Sequence, residues 1–150
     1  MSKWLAFVVA SVLLPAAAFV PSLVRAQASP LTVVNAWVRK PPGVDTAAVY
    51  FVLKNAGSSA ITITGVSSPI ADHVMVHESS IVDGQSRMRM KDTVTVAPGK
   101  SVAFSPGGLH VMLSGLKNEI PVGAKVPLTL QLQGGGQVSV TAIVRSLGSN

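Results

Sequence analysis

The 150-residue sequence contains no cysteine. Disulfides are thereby excluded, as are thiolates acting as nucleophiles or metal ligands. Acidic residues are also scarce, six against twelve lysines and arginines. None of them forms a pair suited to acid–base work, since Glu78 and Asp83 flank a turn, and no G-x-S-x-G nucleophile elbow occurs. The chain therefore does not read as an enzyme. Aromatic residues make up only 5% of it. The basic excess is dispersed, without a run of five like charges, so a nucleic-acid-binding module is a poor reading. A mildly basic surface instead suits acidic protein partners or an anionic membrane face.

Long hydrophobic runs are limited to one, from Trp4 to Val20. Lys3 precedes it, and "RAQAS" follows with Ala26 and Ala28 in an A-x-A arrangement. This is the pattern of a secretory signal peptide, with cleavage expected after Ala28. A retained anchor fits less well. The run is broken by Pro15, followed by Pro21, and falls short of the ~20 residues a spanning helix needs. Residues 1–28 are therefore expected to be an export signal and 29–150 one exported domain, monomeric and without stable membrane insertion. Removing Lys3 and Arg25 leaves ten basic residues against six acidic ones.

Beyond that segment no convincing helical pattern appears. Short runs, most of them carrying β-branched residues, recur instead: "LTVVNAWV", "AAVYFVLKN", "AITITGVS", "HVMVHE", "RMRM", "TVTV", "SVAF", "HVMLSG", "KVPLTLQL" and "QVSVTAIV". Their separators, such as "PPG", "AGSS", "VDGQ", "SPGG" and "GGG", are rich in Gly, Pro and Ser. Many short strands at regular spacing predict an antiparallel Greek-key β-sandwich. Val126, Leu128, Leu130 and Leu132 should point inward along one strand, and Val138, Val140, Ala142 and Val144 along another. Trp37 is expected to pack in the core or at a strand edge.

The four methionines and three histidines of residues 29–150 all fall between His73 and Met112. Strand parity groups them further. In "GLHVMLSGL", Val111 and Leu113 face one way, and His110 and Met112 the other. In "HVMVHE", Met75 and His77 alternate with Val74 and Val76 in the same manner. Asp83-Gly84 is a favoured two-residue hairpin turn, which would set His77 opposite Met90 and Ser79 opposite Met88. Imidazoles and thioethers without thiolate or carboxylate make a soft, neutral donor set. Such a set suits Cu(I) and is poor for zinc, magnesium or calcium. His73 reads as a solvated loop residue.

The spacing His77, ten residues, Met88, twenty-one residues, His110-x-Met112 resembles that of the periplasmic copper-A chaperone (PCuAC-like) family. "NAWVRKPPGVDTAAVYFVLKNAGSSA", "SSPIADHVMVHE", "VAPGKSVAFSPGGLHVMLSGLK" and "VGAKVPLTLQL" are similar to the family's sequence blocks, in order. The resemblance implies a cupredoxin-like sandwich that binds one Cu(I) through His77, Met88, His110 and Met112. Met90 is the runner-up thioether and Met75 a possible auxiliary. It also implies delivery of copper to the copper-A subunit of cytochrome c oxidase, directly or through Sco-type proteins. The alternative destinations are copper resistance or storage. A metal-free interaction sandwich is the remaining class.

Overall fold

The structure, a computed structural model, describes residues 29–146 and Gly148. The expected export signal, residues 1–28, lies outside the described residues. Ten strands follow one another: β1 Leu31–Arg39, β2 Thr46–Asn55, β3 Ile61–Ser67, β4 Ala71–Val82, β5 Gln85–Met90, β6 Val94–Val96, β7 Ser101–Phe104, β8 Leu109–Leu116, β9 Lys125–Leu132 and β10 Gln137–Arg145. Each coincides with one of the short runs read from the sequence, and Gly, Pro or Ser clusters punctuate most of the gaps between them.

Hydrogen bonding connects the strands in the order β5-β4-β8-β7-β2-β1-β10-β9-β3-β6, with β8 also paired to β2. The two halves of this order share one core. Val76, Val111, Leu113 and Val49 from one half join Ile63, Val126, Leu128 and Val140 from the other in a single buried cluster. Alternation explains the membership. Val126, Leu128 and Leu130 are buried along β9, with Leu132 partly so, and Val140, Ala142 and Val144 along β10. Phe51 and Phe104 stack at 4.4 Å between β2 and β7.

Two pairings depart from the expected antiparallel pattern. β7 and β8 are parallel at Phe104–Leu109. Both pair antiparallel with successive halves of the long strand β2, so they must run in the same direction. β1 and β10 are also parallel, over Trp37–Arg39.

A bulge in β1 bears on the position of Trp37. The register against β2 shifts between Val34 and Trp37, and Asn35 takes φ 55°. One extra residue exchanges the two faces of the strand. Leu31 and Val33 pack on the core before the bulge, and Ala36 and Val38 after it. Trp37 is thereby turned away from the core, one of the two places expected for it, and sits on Tyr50 with ring centroids 4.6 Å apart.

Candidate metal centre

The site is built by strand register. Asp83 and Gly84 take φ values of 52° and 75°, the two positive angles that a tight two-residue hairpin requires. The turn sets the register of β4 and β5, with His77 opposite Met90 and Ser79 opposite Met88. On the other side of β4, Met75 stands opposite Met112 and His77 opposite His110. β2 continues the rows, with Ala48 opposite Met112. Tyr50, two residues on, therefore lines up with His110. One row thus crosses five strands: Trp37, Tyr50, His110, His77 and Met90.

Every histidine and methionine of residues 29–146 lies on this one face, away from the core cluster. His73 belongs there too. It is exposed, as expected, but it lies within β4 opposite Ser114 rather than in a loop. Met75 and Met112 are half-buried. Met88 and Met90 are 54% and 61% exposed on β5, the outermost strand.

The two imidazoles differ in their surroundings. His110 is buried, and its Nδ1 lies 3.0 Å from the Gly108 carbonyl oxygen. A carbonyl can only accept, so in the neutral ring Nδ1 carries the proton and Nε2 keeps a free lone pair. The same carbonyl also accepts the Ser79 N–H at 3.0 Å, which ties this anchor to β4. A hydrogen bond at one ring nitrogen that fixes the other as a donor is the usual support for a metal-ligating histidine.

His77 meets His110 edge-on, with centroids 5.8 Å apart and planes at 77°. Its Nδ1 is sealed from solvent and has no hydrogen-bond partner. Among the described residues it is the one buried side-chain nitrogen or oxygen in that condition. Leaving such a group unsatisfied costs about 1–3 kcal/mol. Burial holds the His77 pKa below the ordinary histidine value, and the neighbouring His110 lowers it further.

A pH dependence follows. Unfolded His77 titrates near ~6.5, whereas folded His77 takes up its proton only at lower pH. Above about pH 7 both states are neutral and the His77 contribution is fully present. As pH falls through ~6.5, the unfolded chain binds the proton first, and stability declines until the folded value is passed. Urea midpoints of the metal-free protein between about pH 5 and 8 should show this fall, and His77→Phe should remove its share. Equal slopes in the two proteins would assign the effect to another group.

Aromatic and basic groups flank the two histidines. Tyr50 is 6% exposed beside His110 at 6.3 Å, and Arg145 lies 5.3 Å over the Trp37 ring. Arg87, Arg89 and Lys91 alternate with the methionines of β5. Lys91 makes a half-exposed ion pair with Glu78 at 3.5 Å, of a kind that adds little stability. Among the described residues, no three His, Cys, Asp or Glu side chains form a group that could hold a metal ion. What the face offers is nitrogen and thioether sulfur, the donors for a soft monovalent cation.

The register thus gathers His77, His110, Met112, Met75 and Met90 into two adjacent rows and leaves Met88 one pair further toward the hairpin tip. Tyr50 was not anticipated as a neighbour of the site. Its signal was available in "AAVYFVL", where Val49, Phe51 and Leu53 occupy the core parity and leave Tyr50 on the other face.

Residues 31–144 match a family model described as "Putative lipoprotein LpqE-like". A relative from Leifsonia xyli subsp. xyli (strain CTCB07), described as "Putative lipoprotein Lxx21020", is 32% identical over 139 residues, 91% of this chain and 81% of its own. The copper-bound PCuAC domain from PmoF2 is similar at a TM-score of 0.66 and 25% identity, over 79% of this chain and 95% of that one. The CuI form of DR1885 from Deinococcus radiodurans is similar at a TM-score of 0.63 and 33% identity, over 80% of this chain and 81% of that one. Matched from end to end of its sandwich, the chain belongs to the LpqE-like family and has the cupredoxin-like fold of the periplasmic copper-A chaperone (PCuAC) domains.

Proposed function

We propose that the protein is an exported copper chaperone that carries one Cu(I) on the His/Met face. The observation that carries the reading is the sealed, unpartnered Nδ1 of His77, set against His110 with its free Nε2, with Met75, Met90 and Met112 at the neighbouring register positions. A bound soft cation would supply the partner that the His77 ring lacks. The copper held by the PmoF2 domain and by DR1885 supports the same assignment. The lipoprotein description of the family agrees with export, and we place the protein in the periplasm.

The ligand set is His77, His110, Met112 and a thioether from β5. Met88 fits the spacing of the PCuAC pattern, while Met90 is the direct cross-strand neighbour of His77. All these donors are neutral, which favours Cu(I) over Cu(II). Exposure of the β5 thioethers gives a recipient a ligand to displace first, and the recipient we propose is the copper-A subunit of cytochrome c oxidase or a Sco-type protein. Deleting the gene should then lower oxidase activity when copper is limiting; sensitivity to excess copper instead would point to storage or resistance.

The β5 ligand is testable directly. Leu and Met exchange at a cost of under about 1.5 kcal/mol even in cores, and both β5 positions are exposed. Met88→Leu should therefore leave stability nearly unchanged and weaken Cu(I) binding in competition with a chromophoric chelator. Met90→Leu should weaken it less. The opposite ranking would transfer the role to Met90.

A further inference from the structure

The spacing pattern has no place for Met75, yet Met75 stands directly opposite Met112 on the neighbouring strand. It is half-buried and one pair along from His77 and His110. These four residues form a two-by-two block on β4 and β8, with two imidazoles and two thioethers. Nothing from β5 is needed to complete it.

Directly opposed side chains on paired strands have Cβ atoms roughly 4.5–5.5 Å apart, within reach of a methionine's three rotatable bonds. Core filling does not account for Met75. Val74 and Val76 on the same strand face the core cluster, and Met75 alternates with them to the other side. The β5 thioethers contrast with it, on a strand whose six residues are all exposed.

We infer that Met75 is a second, internal thioether ligand, so that the copper site can close in two ways around His77, His110 and Met112. A β5 methionine closes it for capture and release, and Met75 closes it for retention. This rests on the Cu(I) reading above. The exchange is balanced: one copper–sulfur bond to β5 breaks as one to Met75 forms. Copper stays monovalent, and no proton moves because a thioether carries none. Shifting the cation toward half-buried Met75 draws it away from the exposed strand β5, where an incoming donor would reach it.

The test uses Met88→Leu/Met90→Leu, Met75→Leu and the triple variant, each loaded with Cu(I). Affinity is read by chelator competition and the sulfur count by copper X-ray absorption. The double variant should still hold one Cu(I) with two sulfur ligands, within about tenfold of wild-type affinity, and should give it up more slowly. The triple variant should fall by roughly a further hundredfold and show one sulfur, the scale of losing one donor from a four-donor site. A double variant that binds as weakly as the triple, or that shows one sulfur, overturns the inference. The sulfur count of the double variant needs no substitution at Met75, so the test survives if Met75→Leu folds poorly. Wild-type protein that holds no Cu(I) would sink the copper reading itself, a distinct result.

Discussion

His77→Phe combined with His110→Phe is expected to lower Cu(I) affinity by roughly four orders of magnitude without weakening the metal-free fold. Structural zinc sites, a guide to scale, supply about 10–16 kcal/mol from four donors, or about 3 kcal/mol each. Two lost nitrogens therefore remove on the order of 6 kcal/mol, and each 1.4 kcal/mol is about tenfold. The effect on stability should have the opposite sign at one position. His77→Phe alone exchanges the sealed, unpartnered nitrogen for carbon and should raise the unfolding free energy by about 1 kcal/mol. At position 110 the Gly108 carbonyl keeps the Ser79 N–H as a partner, so that loss is tolerable. Urea titration of the metal-free variants together with chelator competition checks both halves. A residue kept for function at a cost in stability gives opposed changes, and a purely structural His77 would give a loss in the first and nothing in the second.

Asn55→Leu should produce the largest stability loss outside the site, about 3–5 kcal/mol from several orphaned groups. The Asn55 side chain is 2% exposed. Its Nδ2 donates to the carbonyls of Ser59 at 2.8 Å and Val96 at 3.0 Å, and its Oδ1 accepts the Gly57 N–H at 2.9 Å. One amide thus joins the end of β2 to the following loop and to β6. Leucine matches the volume and serves none of these partners. Against a typical total of 5–15 kcal/mol, the variant should lose a large share of its stability. Its thermal midpoint should fall, while the folded fraction still binds one Cu(I), because the histidines and methionines lie on β4, β5 and β8. A midpoint within a few degrees of wild type would mean that water replaces the amide at those carbonyls.

The ten strands were legible in the sequence because strand identity is a local property. Alternating β-branched residues such as Val138, Val140, Ala142 and Val144 select a face. Pairs such as Asp83-Gly84 supply the positive φ angles of a turn within two residues. The hairpin register, His77 opposite Met90, followed from the same local chemistry, and so did the confinement of imidazoles and thioethers to one parity. Three features needed the tertiary structure. The β1 bulge exchanges the faces of a strand by one inserted residue, and "VVNAW" carries no motif that announces it, so Trp37 could not be placed beside Tyr50 beforehand. The pairing of β4 with β8 joins segments distant in sequence, and only that pairing brings Met75 to Met112 and His77 to His110. The unpartnered nitrogen of His77 depends on what surrounds it from several strands at once. Alternation decides which way a side chain points; long-range packing decides what it meets there.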